Sequence, residues 1–204
     1  MRKRLIIAAV PALLLAPAAF ATTVGLAYDN VGIDAGPGMS LTLPGGKLSV
    51  DQPLGAGYGI SGNIVGAGGE NQATFYGANA KAYKAIPFDG GQFRPGLDLG
   101  YNRLSSDGYH VAAAYAGIDV SYRYPLNRDV AIEANGGFGR DFATSVTGLS
   151  TIGGLTYNAG AQADFRVGPG LLAAGYEYRH LPLSTAYGLH LNTGQFTIGY
   201  RLRF

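Results

Sequence analysis

The residues with the greatest potential for chemistry lie near the carboxyl end of the 204-residue chain, where His180 precedes Ser184. A serine nucleophile needs a base within hydrogen-bond reach, and that base usually needs an acid to orient it. No Asp or Glu follows Glu177 in the sequence. The other histidines, His110 and His190, share no metal-ligand spacing with His180. We therefore predict no catalytic site, no metal site and no cofactor.

A second group of polar residues is more extensive, because charged side chains alternate with apolar ones along several segments. These residues carry both signs, and on the inner wall of a barrel they could pair with one another. They are Lys81, Arg94, Asp98, Asp119, Arg123, Glu133, Asp164, Arg166, Glu177, Arg179 and Arg201. We predict that all of them line a lumen.

The last ten residues, QFTIGYRLRF, show this alternation best. Aromatic and aliphatic residues occupy every second position up to Phe204, and Arg201 and Arg203 lie between them. Successive side chains of a strand point to opposite faces, so this segment predicts a strand with one apolar and one cationic face. An alternating last strand that ends on Phe is typical of bacterial outer-membrane barrels. We expect Tyr200, Leu202 and Phe204 to form the assembly signal.

The same period-two pattern recurs along the chain between turn residues, as in membrane barrels. The clearest segments are 76–86, 93–102, 114–124, 130–141, 155–166, 172–179 and 195–204. Alternation at 24–28, at 39–50 and, more weakly, at 58–64 gives eight or ten strands in total, of which we favour ten. The predicted fold is all-β, an antiparallel up-and-down transmembrane β-barrel of 8 to 10 strands over residues 22–204. Residues 22–55 are either barrel strands or an accessory segment.

The amino terminus predicts export. Three basic residues at 2–4 precede an apolar run at 5–16, and Ala19 and Ala21 give a small-x-small cleavage pattern. The run is shorter than the roughly 20 residues that a membrane-spanning helix needs. We expect residues 1–21 to be a signal peptide that is cleaved after Ala21, and the mature protein to lie in the outer membrane of a Gram-negative bacterium.

Composition excludes several other functions. The chain has no cysteine, so disulfides and thiol chemistry are impossible. Without the three basic residues at 2–4, the remainder carries 12 basic and 13 acidic residues. No basic patch of the kind that binds nucleic acid is present. Tyrosines near the strand ends, at positions 101, 122, 124, 176, 178 and 200, suggest an interfacial girdle.

The expected connections differ in length. Turns near 87–91, 125–128 and 168–170 are short, whereas 103–109, 143–153 and 181–190 are longer and rich in Ser, Thr, Asn and Gly. Outer-membrane barrels combine short periplasmic turns with longer outer loops. We therefore predict that Phe204 lies on the periplasmic side.

Two resemblances to known families add to these observations. The sequences Ser61-Gly62-Asn63, Asp107-Gly108-Tyr109 and AGYEYR at 174–179 resemble the YfaZ-type family of small outer-membrane proteins, over roughly 57–204. This resemblance implies an outer-membrane barrel without catalytic residues. The segment 179–184 resembles the motif of outer-membrane lipid A deacylases, although three residues here separate His from Ser where that motif has one.

Three functions remain open at this point. The favoured one is a structural or interaction role through the outer loops, with the lumen filled by paired charges. The alternatives are a narrow pore for small solutes and, less favoured, a lipid-modifying hydrolase. The expected partners are outer-membrane lipid, lipopolysaccharide and the barrel-assembly machinery, with no nucleic acid, and we expect a monomer.

Overall fold

The computed structural model describes residues 22–36, 40–69, 72–147, 149–151, 153–184 and 189–204. The expected signal peptide, including Ala19 and Ala21, lies outside the described residues. Nearly all the described backbone is β-strand. The strands are β1 (Thr23–Asp34), β2 (Ser40–Gly55), β3 (Tyr58–Gly68), β4 (Thr74–Lys84), β5 (Ile86–Phe88), β6 (Gly91–Ser106), β7 (Tyr109–Pro125), β8 (Val130–Val146), β9 (Leu149–Thr151), β10 (Leu155–Val167), β11 (Gly170–Ser184) and β12 (Leu189–Arg203).

Ten of these strands close into an antiparallel barrel. Each long strand pairs with its neighbours in chain order, β12 pairs with β1, and β8 pairs with β10. The three-residue strands β5 and β9 pair only with β6 and β8. Closure leaves no unpaired sheet edge among the long strands, which is the condition for a sheet in lipid. The predicted fold class and the favoured count of ten strands are therefore confirmed, and residues 23–55 contribute β1 and β2.

The strands are steeply tilted. The paired residues form a continuous path around the barrel that starts at Asp34 on β1. The path crosses β12 at Asn192 and reaches β2 at Gln52. Extending the β1–β2 register by one residue returns the path to Thr22, twelve residues from its start. Ten strands with a shear of twelve correspond to a tilt of about 40°. We call the end that holds Thr23 and Arg203 the near end, and the opposite end the far end.

Several residues expected in long loops belong to strands instead. β6 continues to Ser106 and β7 begins at Tyr109, so only Asp107 and Gly108 connect them. Their φ angles of 42° and 83° are those of a two-residue hairpin turn of the type that Asp-Gly favours. Most of the expected loops 143–153 and 181–190 are likewise strand in the described part. The prediction of a long connection at 103–109 was wrong, because these residues belong to strands that continue past the apolar belt into water. The connection from β8 to the next barrel strand, β10, spans positions 147–154 and includes β9.

No helix among the described residues is long and apolar enough to cross a bilayer.

Candidate functional site

The inner and outer faces of the barrel alternate residue by residue, as the strand pleat requires. On β1, Asp29 and Val31 are fully buried inside, whereas Leu26 and Tyr28 on the other face are 70% and 53% exposed. Following the paired registers around the barrel assigns every long strand in the same way. The inner wall then divides into two parts of different chemistry.

The far-end part of the inner wall holds a buried apolar cluster, which we call the plug, with the buried polar residues Asp141 and Thr144 of β8 beside it. Its side chains come from eight of the ten long strands, with Ala73 just before β4, and are 0–8% exposed. They are Val31, Ile33, Leu43, Val65, Ala67, Ala73, Phe75, Leu104, Val111, Ala113, Tyr115, Leu181, Leu183 and Leu191. Buried apolar side chains of this kind oppose a continuous water path through that part of the described wall. The sequence predicts charges throughout the lumen, and the plug is the main difference.

Below the plug, the inner wall carries the deepest ion pairs. Arg179 lies between two carboxylates, 3.3 Å from Asp98 and 3.0 Å from Glu177. Lys81 pairs with Asp119. Amide side chains complete these carboxylates: Asn79 donates to Asp98 at 3.2 Å, and Asn158 donates to Asp119 at 3.1 Å. Buried charges therefore have opposite charges and hydrogen-bond donors beside them, which offsets the cost of their removal from water.

Further ion pairs surround the near-end mouth. Arg123 lies 2.5 Å from Asp164 and 3.5 Å from Glu133, and Arg201 also pairs with Asp164. Asp164 is only 2% exposed, so two guanidinium groups cover it.

On the opposite side of the mouth, Arg94 lies 3.4 Å from Asp51. Tyr83 donates a hydrogen bond of 2.6 Å to the same carboxylate. Arg94 also stacks over the ring of Tyr83, 5.3 Å from its centre.

The structure places all eleven expected lumenal charges on the inner face, and ten of them form the ion pairs above. The exception is Arg166, which is exposed and makes no ion pair with a described residue. Sequence reasoning missed the inner-wall acids Asp29 and Asp51, and it included Asp141 in the alternating segment 130–141 without counting it among the lumenal charges. Asp141 is 1% exposed and has no hydrogen-bond partner for either carboxylate oxygen within the described part of the chain.

The charged part of the wall surrounds a cavity of about 830 Å³, which we call the polar cavity. Its lining includes the near-end turn Gly168-Pro169-Gly170 and the last inward residue, Arg203, so it is accessible from the near end. In the other direction it ends beneath the plug. A volume of this size matches small-ligand sites.

The histidines lie on the outer face, away from the polar cavity. Nδ1 of His180 is 2.6 Å from Oδ1 of Asn192, and its ring stacks on Tyr157 with 4.9 Å between centres. Ser184 is four positions further along β11, a backbone separation of about 13 Å at the rise of a strand. The imidazole of His180 is engaged by Asn192 and Tyr157 instead. No group of three or more His, Asp or Glu among the described residues could hold a metal ion.

The outer face carries a broad apolar belt between two rows of aromatic residues. Exposed aliphatic side chains in the belt include Leu26, Leu97, Leu99, Ile118, Ile132 and Ile198. Exposed aromatics toward the near end are Tyr58, Tyr124, Phe165 and Phe204, and those toward the far end are Tyr28, Tyr76, Tyr101, Phe138, Tyr157 and Tyr176. On β10, eight positions separate Tyr157 from Phe165. That spacing is roughly 20 Å along the barrel axis, after allowing for the strand tilt.

The three residues of the expected assembly signal point outward at the near end. The hydroxyl of Tyr200 donates to the carbonyl of Val167 at 2.6 Å. Leu202 is 36% exposed and Phe204 is 72% exposed. The backbone nitrogen of Phe204 bonds to the carbonyl oxygen of Thr22 at 2.9 Å, so the chain end continues the β12–β1 seam.

Comparison with known proteins finds likeness only at the level of the fold. No protein-family model matches the chain, and neither does any curated protein. Among solved structures it is similar to Neisserial surface protein A, with 12% identity, a TM-score of 0.43 and coverage of 90% of this chain and 99% of that one. It is also similar to the Yersinia pestis outer membrane protein Ail, with 15% identity, a TM-score of 0.41 and coverage of 91% and 99%. A third similar structure is the KdgM porin, with 13% identity, a TM-score of 0.41 and coverage of 88% and 99%. Likeness at this level carries no argument about activity.

Proposed function

We propose that this protein is an integral outer-membrane barrel with a closed lumen, which acts as a structural or interaction protein of the cell envelope. The observation that carries the proposal is the exposed apolar belt framed by aromatic rows. A water-soluble barrel would turn its charged face outward, yet here Leu26 and Leu97 are about two-thirds exposed while Asp98 and Asp119 lie inside. Membrane barrels have an outward apolar band of about 25 Å between aromatic girdles.

The compartment and the family follow from the sequence. A signal peptide over residues 1–21 would deliver the chain to the periplasm, from which barrels enter the outer membrane. The YfaZ-type resemblance supports the same compartment and stays a prediction. With Phe204 on the periplasmic side, the near end faces the periplasm and the far end faces outward. Outer-membrane lipid, lipopolysaccharide and the barrel-assembly machinery are the proposed partners of a monomeric barrel.

The plug argues against the pore alternative. A pore for small solutes needs a continuous polar path, whereas the buried apolar side chains of the plug occupy the far-end part of the described inner wall. The polar cavity is then a pocket that opens toward the periplasm. The hydrolase alternative gains no support, because His180 faces outward and contacts Asn192 and Tyr157.

The surface available to partners also differs from the one that the sequence suggested. The described far-end connections include the two-residue turn at Asp107 and Gly108, so long loops contribute less than expected. Above the apolar belt, the outer face is formed instead by largely polar strand ends, among which Phe142 and Leu155 are also exposed. Arg103, His110 and Arg140 are exposed there. We propose this polar rim, in contact with lipopolysaccharide headgroups, as the interaction surface.

Two measurements test the proposal. The outer-membrane fraction should contain a form that migrates differently on a gel before and after heating, because folded barrels resist detergent. The purified barrel should show no steady conductance in a planar bilayer. A soluble periplasmic protein without a heat-dependent shift would refute the membrane assignment, and a large steady conductance would refute the closed lumen.

A further inference from the structure

We propose that the polar cavity binds a small multivalent oxyanion, with carboxylate or phosphate groups, that enters from the near end. The inference rests on the described inner wall, and it depends on the proposed function only for which compartment the near end faces. The site is an arc of three arginines across β10 and β12, namely Arg166, Arg201 and Arg203.

Charge is unevenly distributed within the cavity. Eight basic and five acidic side chains line it, an excess of three positive charges, of which the buried Asp164 beneath Arg123 and Arg201 offsets one. The turns around the mouth do not supply this excess of positive charge. Their basic residues Lys84 and Arg128 are equal in number to their acidic residues Asp89 and Asp129. The excess therefore belongs to the cavity rather than to the near end in general.

Burial hides the carboxylate of Asp164 from the mouth of the cavity. Asp164 is 2% exposed beneath Arg123 and Arg201, so an entering ligand meets guanidinium groups and not the carboxylate. Arg166 and Arg203 are exposed, and neither makes an ion pair with another residue of the described chain. Uncompensated guanidinium groups at the entrance of a low-dielectric pocket attract anions more strongly than the same groups on an open surface.

The spacing of the arginines suits a compact ligand. Arg166 pairs with Leu171 on β11, and Leu171 pairs with Arg201 on β12. Arg166 and Arg201 are therefore two strands apart on one ladder, about 10 Å between backbones. Arg203 is two positions from Arg201 on the same face of β12. Long side chains from these positions can converge on a single ligand.

One of these arginines has an unused donor. Arg201 pairs with Asp164 through one terminal nitrogen, whereas its buried Nε has no hydrogen-bond partner in the described structure. Nε itself is closed to the cavity, so a ligand there would bind to the accessible part of the Arg201 side chain, which is 22% exposed. Guanidinium groups bind carboxylate and phosphate by paired, charge-assisted hydrogen bonds. The cavity thus offers both the net charge and the specific donors that such a ligand needs.

The test is calorimetric titration of the purified, folded barrel in detergent with inorganic pyrophosphate and, separately, with citrate. We expect saturable binding of at least one anion that weakens as salt is added. The double variant Arg166→Gln with Arg203→Gln should weaken binding about tenfold or more, since it removes two charge-assisted contacts. Comparing the two anions distinguishes a phosphate ligand from a carboxylate ligand.

The control variant is Arg128→Gln, which removes one positive charge at the same end but outside the cavity lining. It should bind as the unmodified protein does. Absence of saturable binding to both anions, or an equal loss in the control variant, would overturn the proposal. Heat-dependent gel mobility of each sample shows that the barrel is folded, so a negative result would count against the anion site without affecting the membrane assignment.

Discussion

The guanidinium of Arg179 lies 4.4 Å from the ring centre of Tyr115, so that a cation lies against the base of the apolar plug. The same guanidinium bonds to Asp98 at 3.3 Å on the other side. Arg179 is 8% exposed and Tyr115 is 3% exposed. This contact joins the two parts of the inner wall, and it connects β7 to β11 across the lumen.

Removing the cation should destabilise the barrel strongly. Arg179→Met keeps much of the apolar volume but leaves Asp98 buried without its ion-pair partner. Loss of one member of a buried pair costs about 3–5 kcal/mol. Urea unfolding in lipid vesicles measures the loss. Arg103→Met, on the exposed outer rim, should change the free energy of unfolding by no more than about 0.5 kcal/mol.

A second substitution distinguishes two causes of the lower stability of Arg179→Met, namely the unpaired buried charge of Asp98 and the lost contacts of the Arg179 side chain. Adding Asp98→Asn to Arg179→Met removes the stranded carboxylate, so the double variant should be more stable than Arg179→Met alone. Non-additivity between residues in contact is the expected signature. Strict additivity of the two substitutions would show that the ion pair contributes nothing.

The plug should contribute stability as a packed core does. Phe75 is 1% exposed within it, and Phe75→Ala should cost about 3–5 kcal/mol in the free energy of unfolding, because the surrounding strands cannot collapse into the space. Leu97→Ala on the outer belt provides the comparison. Lipid can fill the space left by Leu97, which is 66% exposed, so the loss there should be smaller. Equal losses at the two positions would contradict a packed plug.

Much of the barrel could be predicted from the sequence, because each strand presents two faces of different polarity. The prediction of which residues face the lumen fails where the apolar residues move from one face of a strand to the other. On β1, apolar residues point outward as far as Tyr28, and from Val31 onward they point inward. The reason is that lipid surrounds the first part of the strand, whereas water surrounds the second part and the plug fills its interior.

The same change explains the uncertainty over residues 39–50. Pro44-Gly45-Gly46 interrupts the alternation in the sequence, yet β2 runs through these residues. Leu43 points into the plug, whereas Leu48 lies on the outer face. Alternation identifies a face, but it cannot say whether lipid, water or protein covers that face.

The sequence could not predict which lumenal charges form ion pairs with each other, for a different reason. The charged face could be identified strand by strand, but Arg179 and Asp98 are 81 residues apart and meet only because the barrel closes. Asp51 was missed because the strand that carries it was uncertain. The far-end hairpin at Asp107 and Gly108 did have a local signal, since Asp-Gly strongly favours two-residue turns.

Gly100 should not tolerate a larger side chain. It lies directly opposite Tyr115 in the β6–β7 register, and a Cβ at this position would overlap the tyrosine ring. Gly100→Ala should therefore displace the ring that contacts Arg179 and cost about 1–3 kcal/mol in the free energy of unfolding. Gly66→Ala on the outer face has open space around its Cβ and is the matched control. Equal free energies of unfolding for the two variants would contradict this close approach of Gly100 to Tyr115.

The proposed orientation can be tested without background labelling, because the chain contains no cysteine. Tyr109→Cys places a thiol at the far end, where residue 109 is exposed, and Arg128→Cys places one in an exposed near-end turn. A membrane-impermeant maleimide should label the first variant in intact cells and the second only after the outer membrane is permeabilised. The opposite result would reverse the orientation.

Deletion of Phe204 should impair assembly without affecting export. Its side chain is 72% exposed and makes little contact within the barrel, so the loss of folded stability should be small. If the assembly machinery recognises this end, the folded, heat-modifiable fraction in the outer membrane should fall severalfold, while the amount of processed chain that reaches the periplasm stays constant. Fractionation followed by gel analysis with and without heating measures both quantities.

The control for this deletion is Phe88→Ala, which removes another near-end aromatic side chain, 65% exposed, from the short strand β5. A general need for near-end aromatics would lower assembly in both proteins, because such residues anchor a barrel at the membrane interface. Recognition of the chain end would lower it only when Phe204 is absent. Normal assembly after deletion of Phe204 would mean that the terminal residue has no role in recognition and that closure of the β12–β1 seam alone suffices.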